Sequence, residues 1–203
     1  VSDLLPIRAA ATVILWRNGP DGPGVLMGQR GAGAAFMPSK YVFPGGAVDA
    51  GDHAAAHAVA PDCHRRLALC PLPQTPAPEA LVGAALRELH EETGLQLDTA
   101  TGTPVMRFVF RAITPPGRSR RFDARFFLAD ARNVVGDADD FSRAEDELGH
   151  IHWIGLKEAR ALDLPFITEV VLAEVTALLG GAPDQGVPFF DNSGDIPTFR
   201  RLT

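Results

Sequence analysis

The order of local patterns in the sequence predicts an α+β fold. Short apolar runs bounded by glycine and proline, at 10–16 and 25–30, read as strands, and strands resume at 105–112, 119–129 and 150–154. Between the two sets, residues 82–93 place apolar side chains three and four apart, the period of a helix, and a second such stretch covers 167–179. At 203 residues, 46% of them hydrophobic, the chain can bury one sizeable core, so one domain over 1–203 is expected.

Residues 1–8 read as a loose lead-in. Ala10 to Trp16 is apolar and β-branched, and the turn residues Asn18-Gly19-Pro20 lead to Val25–Arg30, a hairpin partner. Gly31 to Lys40 is a loop of small residues in which Phe36 and Met37 are expected to plug the core, with a substrate wall as the alternative. The stretch from Asp52 to Leu69 is rich in alanine and suits a helix, whereas Cys70 to Pro78 is proline-rich and extended. In the following helix Val82, Leu86 and Leu89 form the inward stripe, and Gly94 supplies the left-handed residue that ends it. Val105–Ala112 and Ser119–Ala129 are expected to pair antiparallel across Thr114-Pro115-Pro116-Gly117. An acidic loop, 137–147, precedes the strand His150–Ile154, and Leu156 to Leu162 starts a short helix. The 167–179 helix turns Val170, Val171, Val175 and Leu178 inward and stops at Gly180-Gly181. Residues 182–203, with Phe189, Phe190 and Phe199, read as a tail that packs on the domain or crosses to a second subunit.

The chemistry concentrates in Arg87-Glu88-Leu89-His90-Glu91-Glu92-Thr93-Gly94-Leu95. On a helix, Glu88, Glu91 and Glu92 share one narrow arc, where three carboxylates repel one another unless a cation sits between them. Arg87 pairs with Glu91 at i,i+4 and leaves Glu88 and Glu92 unmatched. Most such runs are solvated faces; an unmatched acidic arc beside an apolar stripe favours an all-oxygen site for Mg²⁺ or Mn²⁺. Gly45-Gly46, after Tyr41-Val42-Phe43-Pro44, lets a backbone come close to a ligand and exposes carbonyl oxygens.

These residues resemble the signature of the Nudix hydrolases, G-x5-E-x7-R-E-U-x-E-E-x-G-U, where U is a bulky aliphatic residue. Residues 87–95 fill the second half without a departure. Gly46 takes the first glycine position and Asp52 falls where the family has glutamate. The spacing then departs from the pattern: an insertion of about 26 residues, roughly 53–78, separates the halves. Seven residues separate Glu79 from Arg87, as in the signature, so Glu79 competes with Asp52 for the first acid, unless it is only a helix N-terminal charge. The insertion is expected to serve as a lid or dimer contact.

The resemblance implies an α/β/α sandwich with a mixed sheet between helices. It also implies hydrolysis of a nucleoside diphosphate linked to another moiety. Glu88, Glu91 and Glu92, with a backbone carbonyl at Gly46, would hold Mg²⁺ or Mn²⁺ against the phosphates. Arg87 would orient the carboxylates, and a glutamate of the site or of the late acidic loop, Glu145 or Glu147, would act as base. Arg30, Gly45, Arg107 and Arg125 are the candidate substrate contacts, although Arg107, Arg111, Arg121 and Arg125 equally suit the polar face of a half-solvated sheet. The interrupted signature resembles the branch that cleaves coenzyme A, so coenzyme A or acyl-CoA is the first expectation. ADP-ribose, NADH and dinucleoside polyphosphates are the alternatives. A catalytically silent nucleotide-binding sensor is the alternative of another class, and family habit suggests a homodimer.

Composition narrows the field further. A net charge of −6 argues against a general grip on nucleic-acid backbones, and no apolar run is long enough to span a bilayer. Two cysteines and no signal-peptide pattern suggest a reducing, cytoplasmic setting. His53, His57, Cys63, His64 and Cys70 match no usual zinc spacing, so buried cysteines and solvated histidines are expected there.

Overall fold

A computed structural model describes residues 5–54, 57–100 and 102–203. Residues 1–4 of the expected lead-in, and 55–56 of the insertion, lie outside the described residues. The strands are β1 (Ile7–Gly19), β2 (Gly22–Arg30), β3 (Tyr41–Val42), β4 (Gly45–Ala47), β5 (Met106–Ile113), β6 (Arg121–Asp130), β7 (Leu148–Gly155), β8 (Val187–Asp191) and β9 (Thr198–Leu202). The helices are α1 (Pro61–Leu67), α2 (Pro78–Thr93), α3 (Leu156–Ala159) and α4 (Phe166–Leu179). The strands make one mixed sheet in the order β3-β2-β1-β6-β5-β8-β9, with β4 paired to β1 and β7 to β2.

Alternation along the strands divides the core into two layers. On one face Ala11, Val13 and Leu15 of β1 pack with Leu81, Val82, Ala85 and Leu89 of α2 and with Cys63 and Leu67 of α1. On the other, Ile14, Val25 and Met27 pack with Leu156 and Ala159 of α3 and with Val171, Leu172 and Val175 of α4. This is the expected α/β/α arrangement. In α4 Val171 and Val175 are fully buried, while Val170 and Leu178 are only partly so. No helix among the described residues is long and apolar enough to cross a membrane.

One strand organises the site. Near its start β1 pairs parallel with β6, Ile7 opposite Arg121. At its centre it also receives β4, with Ala11 opposite Gly46 and Thr12 opposite Gly45. Its last residues form the expected hairpin with β2, Trp16 opposite Val25. The short β4 thus lays both glycines alongside the sheet, where α2 crosses it.

The C-terminal stretch packs on the domain, one of the two placements expected of it: β8 pairs parallel with β5, β9 closes on β8, and Phe189 is buried, because the alternating VPFFD segment completes the sheet edge. Two expectations are corrected. Phe36 and Met37 do not plug the core but line an open cleft, Phe36 edge-on to Phe122 with centroids 5.3 Å apart. The insertion packs against the sheet face that carries α2, with Cys63 and Leu67 in that core and the Leu69 and Cys70 carbonyls accepting from Arg111 Nη1 at 3.0 and 2.9 Å. None of its described residues lines the cleft, so the expectation of a lid over the site fails.

Candidate active site

The site begins with the local chemistry of α2. Pro78 occupies the first turn, where its missing N–H costs nothing, and Glu79 adds a favourable negative charge. Gly94 ends the helix at φ 75°, its N–H donating to the His90 carbonyl at 2.7 Å. Between these ends the acidic arc faces inward, toward β4: Glu88 and Glu92 are buried, Glu92 to 2% exposure. A Cβ at Gly46 would force the Glu88 carboxylate to move, and one at Gly45 would meet the β1 backbone, 2.6 Å from the Ala11 carbonyl oxygen. The Gly45 N–H donates to Glu92 Oε2 at 2.7 Å, so the glycine pair and the helix are locked together.

Arg87 gathers the acids. Its Nε and Nη2 form a two-pronged pair with Asp52, at 3.0 and 3.1 Å. Nη1 donates to Glu88 Oε1 at 2.9 Å and to Glu91 Oε2 at 2.8 Å, and Nη2 also reaches the Ala47 carbonyl at 2.9 Å. Glu88 is therefore not unmatched, as helical spacing alone suggested: the guanidinium reaches its chain neighbour as well as the residue one turn on. Position separates Asp52 from Glu79: Asp52 is buried on Arg87, whereas Glu79 is part-exposed and faces His64 at 3.5 Å.

The electrostatics follow from this crowding. Burial works against ionisation of Asp52, but the Arg87 fork and the Asp49 N–H outweigh it and hold its carboxyl below the ordinary value. Its hydrogen bonds to Asp52 and then to Glu88 and Glu91 raise Arg87, so it stays charged. Burial raises Glu88, against the pull of Arg87. Glu92 is pushed up to about 8, by burial first and then by Glu88 and Glu147, with only the Gly45 N–H and Arg30 opposing. Its Oε1 is buried without a hydrogen-bond partner.

A further acid reaches the same cleft from the loop that leads into β7. Glu147 lies at the end of the acidic loop, held to Arg30 of β2 with Oε1 3.0 Å from Nη2. Arg30, Glu147, Glu88, Gly45 and Gly46 all line one cleft of about 1010 Å³, walled on the sheet side by Ala10, Thr12, Phe122, Ala124 and Phe126. Glu145 is exposed and does not line it; its backbone N–H donates to the Glu91 carbonyl at 2.8 Å and so ties the loop to α2.

Two of the four candidate substrate contacts lie elsewhere. Arg125 is fully buried on the opposite face of the sheet, its Nη1 2.9 Å from Asp123 Oδ2, because odd positions of β6 point toward the α2 layer. Arg107 is exposed, 3.2 Å from Asp184, and does not line the cleft. Sequence reasoning missed Arg118 and Arg120 at the cleft mouth; their signal was the run of basic residues following Pro115-Pro116-Gly117.

The donor set suits a hard divalent cation. Asp52, Glu88 and Glu91 share the Arg87 guanidinium, Glu147 is held by Arg30, and Glu92, which accepts from the Gly45 N–H, keeps one buried oxygen orphaned. Among the described residues no three side chains converge as ready ligands, since Glu88 and Glu91 are turned onto Arg87. No such group is formed by the histidines and cysteines of the insertion either, where Cys63 is buried and Cys70 exposed.

No family model matches the sequence. Solved structures do match the fold. A NUDIX hydrolase from Alicyclobacillus acidocaldarius is similar at TM-score 0.61 and 24% identity, over 89% of this chain and 95% of that one. The NUDIX domain of Shewanella oneidensis NrtR, solved with ADP ribose, matches at 0.58 and 14%, over 86% and 89%. A C. elegans Ap4A hydrolase matches at 0.54 and 17%, over 86% and 99%. With its mixed sheet between helix layers and its glycine-lined acidic helix, the chain has the fold of the Nudix hydrolases.

Proposed function

We propose that the chain is a metal-dependent pyrophosphohydrolase, one domain over 1–203, acting on a nucleoside diphosphate linked to another moiety. The observation that carries this reading is the buried carboxylate cluster of α2, gathered by Arg87 beneath Gly45-Gly46 at the wall of a large cleft. Glu88, Glu91 and Glu92, with the Gly46 carbonyl, would hold Mg²⁺ or Mn²⁺. Such an ion supplies charge neutralisation on the phosphates and lowers the cost of ionising water.

The residues themselves divide the remaining work. Arg87 fixes the carboxylates by its fork to Asp52, and Arg30 meets a phosphate oxygen while holding Glu147. Water attacks one phosphorus in line, the bridging P–O bond breaks, and the other phosphate leaves with the bridging oxygen. Glu147 accepts the proton of the attacking water; among the late acids it is favoured over Glu145 because it lines the cleft beside Glu88.

Coenzyme A or acyl-CoA is the first substrate, supported by the interrupted signature and by the apolar wall of the cleft. ADP-ribose, favoured by the ligand of the Shewanella NUDIX domain, is the second. Retention of all three helix carboxylates speaks against a silent sensor. We place the protein in the cytoplasm, where such nucleotides occur, and expect a homodimer on family habit. Turnover across coenzyme A, acetyl-CoA, ADP-ribose, NADH and a dinucleoside polyphosphate, with Mg²⁺ and Mn²⁺, tests the reading. Cleavage of at least one is expected, and silence across the panel would overturn it in favour of a sensor.

A further inference from the structure

The cleft has a second charged end that the hydrolytic reading does not use. The β5–β6 connection carries Arg118 and Arg120, both exposed, both lining the cleft, and neither with an ion pair or hydrogen bond among the described residues. Their neighbour Arg121 does the opposite: it is buried, with Nε on the Thr114 carbonyl at 3.0 Å and Nη2 on the Asn192 carbonyl at 2.6 Å. The turn itself is held in place. Thr114 N–H donates to the Phe122 carbonyl at 2.8 Å, Phe122 N–H donates to Thr114 Oγ1 at 3.0 Å, and Ser119 Oγ donates across to the Ala35 carbonyl at 3.1 Å. A fixed backbone thus presents two free guanidinium groups, an arrangement that costs little to order around an anion.

Sheet register gives the separation of the two ends. Gly46 lies opposite Ala11, and Ala11 opposite Arg125. Arg121 lies four residues back along β6, roughly 13 Å at the rise of an extended strand, and Arg118 and Arg120 continue beyond it. A single diphosphate does not span that distance. Between the ends the wall is apolar and aromatic, with Phe36, Phe122 and Ala124, and at the same rim the Arg8 guanidinium sits 3.7 Å from Asp49.

We infer that Arg118 and Arg120 form a second anion subsite, which selects nucleoside diphosphate derivatives bearing a further phosphate remote from the scissile linkage. The inference rests on reading the cleft as a nucleoside diphosphate site. It goes beyond that reading by ranking substrates that share one diphosphate and differ in one phosphomonoester.

Calorimetric binding to the full chain carrying Glu91→Gln, in magnesium, separates the two ideas. The ligand pairs are coenzyme A with dephospho-coenzyme A, and NADPH with NADH. Two charge-assisted contacts predict at least one pair in which the phosphorylated member binds about tenfold or more tightly. Arg118→Ala/Arg120→Ala is expected to collapse that ratio to near unity, and Arg118→Lys/Arg120→Lys to retain part of it, with the preference fading as salt rises. Equal affinities within both pairs, a ratio unmoved by the alanine variant, or no binding by any of the four overturns the subsite. If the ratio behaves as expected while the wild type hydrolyses nothing, the subsite stands and the hydrolytic reading falls.

Discussion

Two buried charge clusters lie on the α2 side of the sheet, and they are compensated in opposite ways. In the β5–β6 cluster Asp123 is clamped between two arginines: Arg111 by Nε and Nη2, both at 2.8 Å, and Arg125 by Nη1 at 2.9 Å. Carbonyls of Leu69, Cys70 and Asp123 take further donors, and the Phe189 ring lies 4.2 Å beneath the Arg111 guanidinium. Burial, partly offset by Asp123, pulls Arg125 down to about 10. The cluster on α2 has the reverse composition, with acids in excess, and it opens to the cleft. A sealed cluster joins structural elements, here pinning the inserted segment to the sheet. An open cluster with excess charge is instead fitted to receive a counter-ion.

The largest effect should come from breaking the sealed cluster. Asp123→Ala leaves two guanidinium groups buried without their anion, and chemical denaturation should show a loss of about 3–5 kcal/mol or failure to fold. In the open cluster, Glu91→Gln should leave the unfolding midpoint close to wild type while lowering turnover of the best panel substrate about a hundredfold or more. A variant that lost stability instead of turnover would erase the contrast between the clusters.

Glu92 sharpens the comparison through pH. Its folded carboxyl is raised to about 8, so the metal-free fold binds this proton more tightly than the unfolded chain does. The resulting stability is fully present below the unfolded value, near 4.5, and is lost as pH rises through about 8. Thermal melts without metal should therefore show Glu92→Gln more stable than wild type at pH 8.5, by roughly 5 °C, with the gap closing at pH 4. An equal gap at both pH values would mean that Glu92 is not the titrating group. The smallest effect is expected at Arg107→Ala, whose exposed pair with Asp184 should change stability by less than about 0.5 kcal/mol and turnover not at all. A clear rise in KM there would return Arg107 to the substrate site.

Much of the helix was legible in advance because its signals are local. Capping by Gly94, the stripe of Val82 and Leu89, and the spacing of three glutamates all arise within a few turns of chain. The strands 7–19, 22–30, 106–113 and 121–130 were legible by the same logic of short-range alternation. The arginines of β5 and β6 were not. A bulge between Phe108 and Phe110 shifts the register, and a one-residue shift exchanges the cleft face for the core face. Alternation also required Arg125 and Ala124 to face opposite ways, but only pairing with β1 decided which way was inward. The C-terminal hairpin was hidden because its strands are short and their partner, β5, lies far back in the chain.

The sequence by itself determined the acidic helix and the glycine pair, which depend on spacing within one element, and the fold class, which follows from the order of such local patterns. Tertiary structure decided which acid joins Arg87, which late glutamate enters the cleft, and which arginines remain free. Those outcomes rest on contacts between residues far apart in the chain: Asp52 with Arg87, Arg30 with Glu147, and Asp123 with Arg111. A charged side chain's role is set by whether a distant partner neutralises it, and that pairing exists only once the sheet has closed around it.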